Sequence, residues 1–412
     1  MKRKFFSMFA LSVCLTFSTL ALSSNRAAAQ DRQIDIRIKV KSGDEKQEKP
    51  KVVGKAPFAG KRASVDVAIL LDTSNSMDGL ISQAKSQLWN IVQQFANAKK
   101  QGQTPMLRVS VFEYGNTSLP ASEGYIRQVV ALTDDLDKVS EALFSLKTNG
   151  GDEYCGQVIG ECIKRLDWSK ETNGYKAIFI AGNEPFTQGS VDYRESCKQA
   201  IEAGIVVNTI HCGHRNAGIQ GMWADGAKIA EGEFMNINQD KKVVHIKCPQ
   251  DKIIIELNGK LNKTYLWYGK KEVRKYYLEN QIKQDSNAGK GSQAQLVQRA
   301  NAKISGVYYN GGRDLCDTFC KDKDILTKVK VEELPEFMQK MSEQERKAHV
   351  EKMVAERNKI KKELAKVNRE REAYLTKERK KLAEKKGEKT LGDAVILSVQ
   401  KQLKSNGFEM KK

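Results

Sequence analysis

The sequence predicts an α/β domain, a doubly wound and mostly parallel sheet with helices on both faces, followed by a largely helical C-terminal region. Three observations lead there. Four apolar runs of strand length, "VDVAILL" (65–71), "LRVSVFEY" (107–114), "KAIFIAG" (176–182) and "GIVVNTIHC" (204–212), alternate with stretches of helical period. The runs carry apolar residues on both alternating faces, as strands covered on both sides do. Beyond about residue 333 the pattern gives way to a long charged run.

Taken in order, residues 1–29 have the form of a secretory leader. Lys2, Arg3 and Lys4 precede the apolar "FFSMFALSVCLTFSTLAL", and Ala27 to Ala29 supply the small side chains a signal peptidase accepts, which predicts cleavage after Ala29. Residues 30–62 hold an alternating segment, "QIDIRIKVK", and a Lys-, Pro- and Gly-rich linker. The α/β domain is placed at 63–240, its helices at "GLISQAKSQLWNIVQQFANA", "DLDKVSEALFSL", "YCGQVIGECIKRL" and "YRESCKQAIEAG".

A closing helix from Asp251, an aromatic extended piece "KTYLWYGKK" and a helix near "AQLVQRANAKISGVYY" fill an accessory segment, 241–332. The basic region 333–412 opens with Ser342 and Glu345 at capping-box spacing. Val350, Met353, Ile360, Leu364, Val367, Tyr374 and Leu382 fall near one face of its helix, while Arg357, Arg371 and Glu378 interrupt the seam. That weak heptad leaves two arrangements open, packing on its own chain or a dimeric coiled coil. A last segment, "LGDAVILSVQKQLKSNGF", has the pattern of a short amphipathic helix.

The formal charge of +19 would suggest a polyanion in the cytosol. Export argues against nucleic acid and for an acidic protein or an anionic envelope surface, and four of those positive charges leave with the leader. The predicted location is secreted or periplasmic, in a bacterial envelope, with no transmembrane segment in the mature chain. Of eight cysteines one, Cys14, lies in the leader. Seven remain, an odd number in a compartment that permits disulfides, and Cys197 with Cys212 is the first candidate pair.

The chemistry gathers where the first strand ends. "LLDTSNSMDG" places Asp72, Ser74 and Ser76 in a loop leaving a buried strand, at the carboxyl edge where open parallel sheets bind ligands. A hard divalent cation takes oxygen ligands, and one carboxylate with two hydroxyls supplies part of such a shell. On this loop alone, capping of the following helix explains the same residues equally well.

The sequence here resembles the von Willebrand factor type A family, in its bacterial, exported branch, through "DTSNSM" followed by "GLISQAKSQLWNIV" and, further on, "LNKTYLWYG". The resemblance spans about Val65 to Ile237 and implies a metal-ion-dependent adhesion site completed by two later loops. Carried over, the first loop is intact at Asp72, Ser74 and Ser76. The second loop, "TNGGDEYCG", aligns Asp152 with the family's usual threonine, with Thr148 as second choice. At the third, the family's aspartate is replaced by Gly182 in "IAGNEPF", leaving Asn183, or Glu184, to complete the shell. The resemblance implies Mg2+, ahead of Ca2+ or Mn2+.

Other constellations are weaker. His211, Cys212 and His214 cluster in "IHCGHR" without a fourth zinc ligand at a recognisable spacing. Cys316 and Cys320 suit a disulfide loop or unpaired thiols. No GxSxG, no activated nucleophile and no GxxxxGK[ST] loop appears, which argues against an enzyme. The expectation is therefore an exported, metal-dependent adhesion or assembly module that captures an exposed carboxylate of a protein partner. The alternative is a non-enzymatic envelope scaffold binding through its basic C-terminal helices.

Overall fold

The computed structural model describes residues 62–238, 240, 246–382 and 391–410, all within one compact unit, Val52–Lys412. The predicted leader, the alternating segment and the linker up to residue 61 lie outside the described residues.

Strand β1 (Ser64–Asp72) leads into helix α1 (Asp78–Asn97), the two-residue strand β2 (Ala98–Lys99) and strand β3 (Met106–Tyr114). Then come β4 (Arg127–Thr133), α2 (Leu136–Ser145), α3 (Cys155–Arg165), β5 (Tyr175–Gly182), α4 (Tyr193–Glu202), β6 (Val206–Cys212), α5 (Arg215–Gln220), α6 (Trp223–Ile229) and β7 (Phe234–Ile237). The remainder is helical: α7 (Gln250–Asn262), α8 (Lys271–Gly291), α9 (Gln293–Lys303), the short α10 (Leu315–Phe319), α11 (Ile325–Lys328) and α12 (Glu336–Gln339), the 40-residue α13 (Glu343–Leu382), and α14 (Leu391–Ser405) before β8 (Glu409–Met410).

Six strands form one sheet in the order β4-β3-β1-β5-β6-β7, parallel throughout except for β4, which runs antiparallel to β3. The four predicted strands are its centre. The period-two geometry of β1 sends Val65, Val67 and Leu71 to one face and Ala68 and Leu70 to the other, all buried. Helices α3, α4 and α6 cover the second face, and α1 and α2 the first. α2 and α4 begin at Asp135 and Asp192, whose side chains accept main-chain N–H groups of their first turns. β1 lies between β3 and β5, so the chain crosses to opposite sides of it, and the crevice that follows opens at Asp72.

The C-terminal region packs onto the α/β layer. Leu391, Val395, Val399 and Leu403 of α14 share a core with Ala84, Leu88, Ile91 and Phe95 of α1. The Leu391 N–H donates to Gln83 Oε1 (2.7 Å), Gln402 Nε2 donates to Asn208 Oδ1 (2.6 Å), and β8 pairs with β2. The last twenty described residues thus belong to the α/β layer, because α1 leaves an apolar flank that only a segment from elsewhere in the chain can cover.

The capping box is present: the Ser342 N–H donates to Glu345 Oε2 (2.7 Å) and the Glu345 N–H to Ser342 Oγ (3.3 Å). Val350, Ile360, Leu364 and Val367 are buried against the protein's own helices, so these seam residues pack within the chain. The two arginines that break it are buried too. Arg357 Nη1 pairs with Asp314 (2.6 Å) and Asp317 (2.8 Å), and Arg371 Nε with Asp251 (2.7 Å). Helix α8 was not legible as a helix because its buried face is made of amides, Asn280, Gln281 and Gln284, while Leu278 and Ile282 face solvent.

All seven described cysteines are free. The pair expected between Cys197 and Cys212 does not form: Cys197 packs on the α3/α4 side of the sheet and Cys212 on the α1 side, and a disulfide cannot cross the layer. Among the described residues no helix is long and apolar enough to cross a membrane.

Candidate metal centre

Three loops meet over the carboxyl end of β1. The Asn149 N–H donates to the Thr73 carbonyl (2.9 Å), which ties the second loop to the first, and the Glu153 N–H donates to Gln188 Oε1 (2.6 Å), which ties the third to the second. Ser76 Oγ donates to Asn183 Oδ1 at 3.5 Å. Four of the predicted donors, Asp72, Ser74, Ser76 and Asn183, are therefore brought together.

Asp72 is fully buried. Its Oδ1 accepts the Ser74 N–H at 2.7 Å, the arrangement of an Asx turn, whereas its Oδ2 has no hydrogen-bond partner. Burial pushes its carboxyl up to about 7, against the pull of the Ser74 main-chain and hydroxyl groups and of the Asn183 main chain, and with the charge of Glu184 adding to the rise. The Ser74 and Ser76 hydroxyl oxygens lie 3.2 Å apart. Two glycines make room for the carboxylate. A Cβ on Gly182 would stand 3.1 Å from Asp72 Oδ2 and 2.6 Å from Tyr114 Oη, and one on Gly115, whose φ is +76°, would stand 3.1 Å from Asp72 Oδ1 and 2.7 Å from Glu153 Cγ.

The second loop departs from the alignment by one residue. Asp152 is exposed and accepts a hydrogen bond from Tyr154 Oη (3.2 Å), and Thr148 turns to the start of α1, where it bonds Asp78. Glu153 is the acid that turns inward. It is buried, and its carboxyl is pushed up to about 8, first by burial and then by the charge of Asp72. Nothing in "GGDEYCG" distinguishes the two acids. Glu153 sits two residues before α3, whose docking on the sheet rotates it toward β1.

His211, Cys212 and His214 do not converge: His211 is buried edge-on to the Trp223 ring, Cys212 is in the core and His214 is exposed. Among the described residues no group of three or more His, Cys, Asp and Glu side chains is gathered closely enough to hold an ion. Any site at β1 therefore depends on hydroxyl and amide oxygens as well. The donor set fits a hard cation: every candidate atom is oxygen, and a carboxyl oxygen without a hydrogen-bond partner sits beside a second acid.

The sequence model of the von Willebrand factor type A domain matches residues 66–240, so that stretch of the chain is a domain of this type. Similar solved structures include BatB of Bacteroides thetaiotaomicron (18% identity, 42% of this chain and 91% of that one, TM-score 0.33) and the SpRpn10 VWA domain (16%, 44% and 91%, 0.34). Proximal thread matrix protein 1 of the mussel byssus, with a zinc-occupied MIDAS motif, is a third (16%, 44% and 43%, 0.33). No curated protein matches the chain. Domains of this type are typically protein-interaction modules rather than enzymes.

Proposed function

We propose that the chain is a cation-dependent protein-binding module whose ligands are Asp72, Ser74, Ser76, Asn183 and Glu153, with Glu184 at its margin, and whose partner presents a carboxylate. The observation that carries this reading is Asp72 Oδ2, a buried carboxyl oxygen that makes no hydrogen bond, beside Gly182, where any side chain would crowd it. Unmatched burial of a charge is costly, and a divalent cation relieves it. Bound there, Mg2+ would supply a Lewis-acidic centre that attracts an outside carboxylate.

The protein's own groups supply position. The Ser74 N–H fixes the rotamer of Asp72, Asn183 orients the Ser76 hydroxyl, and Gly115 and Gly182 permit Asp72 to stand where side chains would otherwise intrude. Glu153 takes the role that the alignment assigned to Asp152, so the pair of acids expected at the ion is kept with a different second member. We further place the protein in the bacterial envelope, on its leader-like first 29 residues.

Titration calorimetry with MgCl2 at pH 8 tests the reading. Saturable heat in the wild type that is lost in Asp72→Asn supports it. No heat from Mg2+, Ca2+ or Mn2+ overturns it.

A further inference from the structure

We propose that a second site, at the opposite, amino-terminal edge of the sheet, binds a small organic monoanion with a flat apolar body. A cavity of about 560 Å3 opens there, a size typical of small-molecule sites. It lies between the first residues of β1 and β3, the loop that follows α3, and the accessory segment beyond α9, so it sits where two parts of the chain meet. Ser64, at its edge, and Asp72 are the two ends of β1, and none of its lining residues belongs to the loops around Asp72. The inference therefore stands apart from the cation reading.

Two cations of the lining stand together. Lys321 Nζ lies 3.7 Å from the centroid of the Tyr309 ring. Arg62 donates to the carbonyls of Thr104 (2.8 Å), Pro105 (3.0 Å) and Gly306 (3.3 Å), bonds that fix the guanidinium without cancelling its charge. Partial burial first, and then the charge of Arg62, hold the Lys321 ammonium below its ordinary range, so the two are close enough to repel. The acids that pull the other way, Asp317 and Asp134, are bound to Arg357 (2.8 Å) and Arg313 (3.0 Å). An anion placed between Arg62 and Lys321 relieves that repulsion. The wall is apolar: Trp168 is half-buried, the indole offering a flat face, and Met106 stands 44% exposed. Arg108 donates to both oxygens of fully buried Asp66 (2.8 and 2.6 Å), a pair that adds no net charge. On the loop after α3, Asp167 and Glu171 outnumber Lys170. A second negative charge on the ligand would meet that acidic loop, which selects a monoanion over a dianion.

Titration calorimetry of the full chain in chelator tests this, with naphthalene-2-sulfonate as the monoanion, naphthalene-2,6-disulfonate as the dianion and 2-naphthylmethanol as the uncharged control. The expected result is saturable heat with the monosulfonate and affinities roughly tenfold weaker for the other two, the discrimination that one charge-assisted hydrogen bond supplies. Arg62→Gln and Lys321→Gln should each weaken the monosulfonate by a similar roughly tenfold factor. Lys321 is exposed, so its variant keeps the wild-type thermal midpoint and the test holds even if Arg62→Gln fails to fold. No saturable heat with the monosulfonate, equal affinity for the alcohol or the disulfonate, or wild-type affinity in Lys321→Gln overturns the inference. Because chelator is present throughout, each of these outcomes leaves the cation reading untouched.

Discussion

Asp72→Asn should stabilise the cation-free protein while abolishing its response to cations. In the folded chain burial raises the carboxyl from 3.8 to about 7, a difference worth about 4 kcal/mol at ~1.4 kcal/mol per tenfold change in proton affinity. For a carboxylate raised in this way the folded state holds the proton more tightly. Below about pH 3.8 both states are protonated and nothing is lost; as pH climbs from there to 7 stability drains away, and above 7 the whole cost is in place. Asparagine has the same shape and no charge, but its own N–H groups need partners and take back ~1–2 kcal/mol. Urea unfolding in chelator at pH 8 should therefore show the variant ahead by roughly 2–3 kcal/mol, with the gap within about 1 kcal/mol at pH 5. Raising Mg2+ to a hundred times its dissociation constant should return ~2.7 kcal/mol to the wild type and nothing to the variant. A wild type equal to or more stable than the variant at pH 8 in chelator would refute the reasoning, and so would equal responses to Mg2+.

Glu153→Gln should weaken Mg2+ binding by ten- to a hundredfold, roughly 1–3 kcal/mol, whereas Asp152→Asn leaves it within about twofold; calorimetry separates the two acids directly. Gly182→Ala places a methyl against Tyr114 Oη and Asp72 Oδ2 and should cost ~1–3 kcal/mol of stability together with most of the cation affinity, seen by urea unfolding and calorimetry on the same sample. Arg357→Ala strips the partner from fully buried Asp314 and should destabilise by ~3–5 kcal/mol. Its amide exchange should rise first along α13 and α10, the elements the arginine joins.

The sequence by itself determined the central sheet and the first loop of the site. Four runs with apolar residues on both of their alternating faces leave no wholly polar face to expose, which marks them as covered parallel strands, and a strand ending in Asp72 with Ser74 and Ser76 delivers those oxygens to the sheet edge by local geometry alone. The Ser342 and Glu345 cap is likewise a three-residue interaction and was legible for the same reason.

What required the tertiary structure was every feature decided by rotation or by distant contact. Asp152 and Glu153 are adjacent, and which of them meets Asp72 depends on how α3 docks. Cys197 and Cys212 are close in sequence and separated by the thickness of a sheet. α14 joins α1 across some three hundred residues, through a match of apolar flanks that neither segment announces. Arg357 and Arg371 looked like faults in a seam because a charge is polar in sequence. Only the folded chain brings Asp314, Asp317 and Asp251 to them and makes their burial stable.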